Sequence, residues 1–175
     1  PERSSAASDV YKRQPNNNGS SFGVSKVDHK KNLEEAVKEA RKYSKDVIIE
    51  KAYNYAEYTV GILKGEALQP LEIIAEDKEG FYDYEAKYLS KGTKKVEVVD
   101  NTIKDQLKNI ALKAFYKHGC QTWGRVDFVY DGKDLGVLEI NTVPGFTEKS
   151  LFPLAAKMSG INYQELITNI IEDSL

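Results

Sequence analysis

Gly124 to Leu151 reads GRVDFVYDGKDLGVLEINTVPGFTEKSL, and the fold turns on how this stretch is read. Val126, Phe128 and Tyr130 alternate with Arg125, Asp127 and Val129. Asp131-Gly132-Lys133-Asp134 supplies turn chemistry, and Leu135 to Ile140 forms a second apolar run. The pattern predicts two antiparallel strands joined by a short loop. With the loop centred on Lys133, pairing sets Asp127 opposite Glu139 and Arg125 opposite Asn141, all four on one face because side chains alternate with period two. Carboxylates directly opposite on a ladder repel. A hard divalent cation between them, held by oxygen ligands, explains why they are tolerated. For two acids alone, a solvated face whose charges happen to align is the better explanation. Asn141 changes that balance by adding a neutral oxygen ligand one alternation beyond Glu139, and Pro144-Gly145 then breaks the strand so that backbone can approach a ligand closely.

The run G-R-V-D-F, followed by L-E-I-N-T-x-P-G-F-T-x-x-S-L, resembles the carboxy-terminal signature of the D-alanine–D-alanine ligases, carboxylate-amine ligases of the ATP-grasp family. The resemblance implies an α+β ATP-grasp fold: a partial central lobe, then a carboxy-terminal antiparallel sheet flanked by helices. It also implies ATP and Mg2+ (or Mn2+) as cofactors and D-alanine as substrate. In such ligases ATP phosphorylates the carboxylate of one D-alanine, and the amine of a second attacks the acyl phosphate to give D-alanyl-D-alanine for peptidoglycan precursors. Carried onto matching positions, the resemblance assigns the metal to Asp127, Glu139 and Asn141 and the transferring phosphate to Arg125. It assigns an oxyanion-hole N–H to Gly145, and the second substrate's carboxylate to Ser150 and Leu151.

Composition is that of an ordinary soluble protein. The chain of 175 residues can bury a real core, and 25 basic against 27 acidic residues give no field suited to nucleic acid. No apolar run is long enough to cross a bilayer and no signal-peptide pattern is present, so the expected location is the cytoplasm. The single cysteine, Cys120, excludes an internal disulfide and reads as a small core residue.

Residues 1–14, PERSSAASDVYKRQ, carry neither helical nor strand periodicity and read as an assembly scar or a disordered tail, outside the fold. The expected domain is therefore 15–175, one compact unit, incomplete because relatives carry an amino-terminal substrate domain and the start of the nucleotide lobe. Pro15 to Val27, PNNNGSSFGVSKV, matches the family's phosphate-covering glycine-rich loop, with Ser20 at the position of its serine. Gln14 stands where the family has a phosphate-contacting lysine. A helix is expected over about Asn32 to Tyr43, then strands at Asp46 to Glu50 and Tyr55 to Leu63.

Between those strands, EKAYNYAE resembles the family's adenine-clamping hinge. Glu50, Lys51, Ala52 and Tyr53 would meet the base and Glu57 the ribose hydroxyls, although Tyr55 replaces the usual glycine. From composition alone Glu50 and Glu57 read as surface acids. A hairpin turn at Gly65-Glu66 and a strand over Ala67 to Ile74 follow. FYDYEAKY, Phe81 to Tyr88, matches the mobile lid of the ligases, where Lys87 would contact the transferred phosphoryl group and Tyr88 would bond Ser20 to close the site. Helices are then expected from about Thr102 to His118, from Pro153 to Gly160, and after an Asn162/Glu165 capping box.

Two rival functions stand beside this one. Another ATP-grasp ligase, such as one making D-alanyl-D-lactate, would share the hairpin but differ in the lid. A catalytically incompetent piece would bind metal or nucleotide only. The family further implies that the parent protein is a homodimer.

Overall fold

The computed structural model describes residues 11–15, 25–27, 29–53, 55–74 and 93–174. In chain order the strands are β1 Tyr11–Pro15, β2 Ser25–Val27, β3 Val47–Lys51, β4 Ala56–Leu63, β5 Glu66–Ala67, β6 Leu71–Ile74, β7 Lys94–Glu97, β8 Trp123–Tyr130 and β9 Leu135–Asn141. The helices are α1 Leu33–Ala40, α2 Asn101–Lys117, α3 Leu151–Met158 and α4 Tyr163–Ser174. Among the described residues no helix is long and apolar enough to cross a membrane.

The chain divides into two compact units where the sequence suggested one, with a boundary at Tyr53/Asn54, inside the stretch that resembles a hinge. The smaller unit holds a three-stranded antiparallel sheet in the order β2-β1-β3. Its middle strand is a correction to the sequence reading. Within the 1–14 segment read as tail, Tyr11 to Arg13 pair with Ser25–Val27 on one side, and Tyr11 to Gln14 pair with Ile48–Lys51 on the other. A strand between two others is held by backbone N–H and C=O groups, which any non-proline residue supplies, so this segment needs no apolar alternation to be recruited.

The larger unit is built on a six-stranded sheet ordered β7-β6-β4-β8-β9, with β5 folded back on β4. One face is apolar. Tyr58, Val60 and Ile62 of β4 and Val126 and Phe128 of β8 pack against Leu107, Ala111 and Phe115 of α2. Asp100 caps α2, accepting the Thr102 and Ile103 N–H groups at 2.8 and 3.1 Å, and Gly119 at φ 78° ends it. A second core joins Leu63, Leu68 and Leu71 to Phe152, Ala155 and Ala156 of α3 and Leu166 of α4. The expected capping box forms: Asn162 Oδ1 accepts the Glu165 N–H at 3.0 Å and Glu165 Oε2 accepts the Asn162 N–H at 3.3 Å.

Two local expectations shift. The hairpin turn after β4 is Lys64-Gly65, both at positive φ (48° and 82°), rather than Gly65-Glu66. The strand expected over Ala67 to Ile74 breaks into β5 and β6, because Pro70 has no N–H for a ladder and the Gln69 N–H is taken by Ser159 Oγ at 2.7 Å.

The central hairpin forms with a register that combines prediction and surprise. Arg125 faces Asn141 and Asp127 faces Glu139, as the alternation implied. The turn, however, is not centred on Lys133: Tyr130 pairs Leu135, Val129 pairs Gly136 and Phe128 pairs Val137. The two registers differ by one residue and are reconciled by a bulge at Leu138, the extra residue between Val137 and Glu139. The tight turn arises because Asp131 Oδ1 accepts the N–H groups of Lys133 (3.0 Å) and Asp134 (2.7 Å), with Gly132 at φ 95°.

Gly124, which opens the same hairpin, is crowded. A Cβ there would lie 2.6 Å from Phe115 Cε2 and 2.9 Å from the backbone oxygen of Asn141. Gly124→Ala is therefore expected to lower stability by roughly 1–3 kcal/mol, read as a fall in the urea midpoint. An unchanged midpoint would show that α2 and β9 give way at no cost.

Candidate functional site

The polar face of the six-stranded sheet is set by parity. Thr59 of β4 pairs Asp127 of β8, which pairs Glu139 of β9; one alternation away, Gly61 pairs Arg125, which pairs Asn141. Glu57, two residues before Thr59, stands on this same face. Six polar residues on three adjacent strands thus share one face without any loop.

Asp127 is their hub. Its Oδ1 accepts from Thr59 Oγ1 at 2.6 Å and from Arg125 Nε at 2.7 Å; its Oδ2 accepts from the other arm of the Arg125 fork at 2.7 Å and from Asn141 Nδ2 at 3.0 Å. Asn141 Nδ2 also reaches Glu139 Oε1 at 3.2 Å. The side chains of Arg125 and Asp127 are only 14% and 13% exposed, so the bidentate pair is drawn together in a partly dry setting where such contacts are strongest. Glu139, by contrast, is exposed. The sequence reading missed Thr59, a fully buried hydroxyl whose role appears only once β4 is known to lie beside β8.

This donor set fits a hard divalent cation. Asp127 and Glu139 offer carboxylate oxygens from adjacent strands, and a half-turn of the Asn141 amide would put Oδ1 where Nδ2 now bridges them. Among the described residues no group of three or more His, Cys, Asp or Glu converges, so the described carboxylates by themselves supply only part of a coordination shell. Such a site suits a cation that takes further oxygens from its substrate.

The loop from β9 to α3 carries Gly145 and Ser150. A Cβ on Gly145 would sit 3.3 Å from Ser150 Oγ, so the two positions adjoin and a side chain there would press on the serine. Ser150 Oγ accepts the Thr147 N–H at 3.1 Å and lies 2.8 Å from Thr147 Oγ1, while the Ser150 N–H is donated to Thr147 O at 2.8 Å. Ser150 stands at the N-cap position of α3 without a side-chain capping bond, its Oγ being taken by Thr147, and Leu151 opens the helix with its side chain packed on the second core. Phe152 of α3 rests close to Gly61, beside Arg125 in the cross-strand register. Across the sheet, Lys95 Nζ donates to Lys149 O at 3.2 Å, and burial lowers the Lys95 ammonium below the usual lysine range.

The remaining sequence candidates are placed elsewhere. Glu50, Lys51, Ala52 and Tyr53 belong to the smaller unit, where Lys51 Nζ lies 4.8 Å over the Tyr53 ring. Ser20, Lys87 and Tyr88 lie outside the described residues.

If the Thr59 hydroxyl holds Asp127 as the geometry indicates, Thr59→Val should cost roughly 1–2 kcal/mol of stability by removing a buried donor to a charged acceptor. Urea unfolding measures this, and a cost of only a few tenths would sink the assignment.

Comparison with known proteins gives a single answer. The family model described as D-ala D-ala ligase C-terminus matches residues 13–172. A D-alanine–D-alanine ligase of Buchnera aphidicola subsp. Schizaphis graminum is 41% identical over 162 residues, covering 91% of this chain and 52% of the relative. One from Methylacidiphilum infernorum is 43% identical, covering 94% and 54%. The crystal structure of D-alanine–D-alanine ligase from Bacillus anthracis superposes with a TM-score of 0.78 at 32% identity, covering 94% of this chain and 54% of that one. A structure from the same organism complexed with ATP gives 0.76 at 26% identity, covering 94% and 52%. The chain spans about half the length of the curated relatives it matches. In sequence and in fold, an α+β unit of ATP-grasp type, this chain belongs to the D-ala D-ala ligase C-terminus family.

Proposed function

We propose that the protein carrying this chain is an ATP-dependent, ADP-forming ligase that joins two D-alanines through an acyl phosphate, in the cytoplasm and for peptidoglycan precursors. The observation that supports it most is the Asp127–Glu139–Asn141 face with Arg125 forked onto Asp127, a set of residues suited to holding a divalent cation and positioning phosphate. A magnesium or manganese ion, when bound by Asp127, Glu139 and Asn141, would neutralise charge on the nucleotide phosphates.

This chain's own residues do the orienting. Asp127 holds the Arg125 guanidinium in one plane through two of its donors, so that its charge meets the transferring phosphate without reorganisation. The Gly145 N–H, on an exposed residue in a loop anchored at the buried Pro144, is the oxyanion donor. Ser150 and the start of α3 receive the carboxylate of the second D-alanine, where a helix N-terminus favours negative charge. Glu50, Lys51, Ala52, Tyr53 and Glu57 hold the nucleoside. Lys87 meets the phosphoryl group, and Tyr88 with Ser20 closes the lid that excludes water from the acyl phosphate. The parent is a homodimer.

The half-length coverage of the relatives favours a second reading for this chain taken alone: a metal- or nucleotide-binding piece that does not turn over. Joining the chain to the amino-terminal half of a relative separates the two. The joined protein should make D-alanyl-D-alanine from D-alanine and ATP, and Asp127→Ala or Glu139→Ala should reduce the rate by roughly two to three orders of magnitude. A folded, joined protein that is indifferent to D-alanine, or to those substitutions, overturns the substrate or the metal assignment respectively.

A further inference from the structure

We infer that Tyr163, on α4, is a positioning residue for the second-substrate carboxylate, acting on Ser150 through one peptide plane. The inference rests on the ligase reading for the identity of that substrate, but its geometry stands independently. The Tyr163 hydroxyl donates to Phe146 O at 2.6 Å, the shortest contact made by the loop between β9 and α3 among those described. Phe146 O and the Thr147 N–H belong to the same planar trans peptide and point in opposite directions. The N–H end of that plane is donated to Ser150 Oγ at 3.1 Å. A hydroxyl on the last helix therefore sets the rotation of the group that holds the serine.

The setting restricts the alternatives open to this peptide. The Phe146 ring lies 5.6 Å from that of Tyr163, 5.5 Å from Trp123 and 6.2 Å from Phe152, so the residue bearing the carbonyl is held by rings on three sides. Rings fix where Phe146 sits, but they do not fix the rotation of its peptide; the hydrogen bonds at its two ends do, and the Tyr163 bond is the shorter. The consequence for Ser150 is chemical. Its oxygen already accepts from the Thr147 N–H and sits 2.8 Å from Thr147 Oγ1; when that second hydroxyl also donates, the serine's own proton is directed outward, to a ligand's carboxylate. Turning the Phe146–Thr147 peptide removes one of these donors and leaves Ser150 held by the Thr147 hydroxyl alone.

Tyr163→Phe keeps the ring and deletes only the hydroxyl. In the joined ligase it should raise KM for the acceptor D-alanine roughly three- to tenfold, the worth of one hydrogen bond, with KM for ATP unchanged. Because the effect runs through Ser150, a Tyr163→Phe/Ser150→Ala double variant should have the acceptor KM of Ser150→Ala alone. Equal fold-changes in both backgrounds, or an ATP KM that moves in parallel, would make Tyr163 merely structural and overturn the inference. A readout independent of activity uses this chain itself: amide hydrogen exchange at Thr147 should speed up roughly three- to tenfold in Tyr163→Phe while α2 amides keep their protection. Unchanged exchange at Thr147 overturns the inference whatever the kinetics, whereas a wild-type joined protein without D-alanine activity and with the exchange effect intact refutes the ligase reading alone.

Discussion

The site depends on one extra residue. From the turn inward, β8 and β9 pair with Tyr130 opposite Leu135 and Phe128 opposite Val137. Continued unbroken, that register would place Leu138 against Asp127 and send Glu139 and Asn141 to the opposite face, into the core beneath α2. The bulge at Leu138 absorbs the odd residue and restores both side chains to the face of Asp127. The tight Asx turn at Asp131 and the acidic face are compatible only because of it. The contacts that β9 brings to the hub, the Asn141 amide that bridges Asp127 and Glu139, inherit this constraint, whereas Thr59 and Arg125 reach Asp127 from β4 and from β8 itself.

Asp127 then sets the rigidity of the face. A carboxylate in a half-dry sheet needs several donors, and it finds four: one hydroxyl from β4, two from Arg125 on its own strand, one amide from β9. Three adjacent strands are tied together through one side chain, while the opposite face is packed on α2 by Val126, Phe128 and Phe115. A functional constellation carried on strands with both faces committed moves little, which suits chemistry that consists mainly of positioning charge.

Legibility in the sequence followed how local each cause was. The hairpin, its acidic face, the capping box at Asn162 and the stripe of α2 were readable because alternation, helical spacing and caps are written within a dozen residues. Thr59 was half readable: Tyr58, Val60 and Ile62 mark the buried parity of β4, so residues 57, 59 and 61 had to face the other way, but nothing local says that this face meets Asp127 sixty-eight residues on. The bulge was invisible because the predicted register came out right at the ends that mattered, through two errors of opposite sign: a turn displaced by half a residue and an unrecognised extra residue. The recruitment of Tyr11 to Gln14 as a middle strand was invisible for a different reason, since backbone pairing leaves no trace in composition.

The charge at the hub links structure to chemistry. Asp127, Glu139 and Arg125 leave the cluster negative, and Arg125 partly neutralises the same carboxylate that a cation would use. A divalent ion arriving without phosphate would reverse that sign beside a fixed guanidinium, which repels it; an ion arriving with nucleotide brings its own negative charge and meets Arg125 as a partner. The arrangement therefore favours joint entry of cation and phosphate over cation alone. On the proposed ligase reading, Arg125 would couple the binding of metal and nucleotide, and the Asp127 fork that fixes its plane is what would allow a single residue to do so.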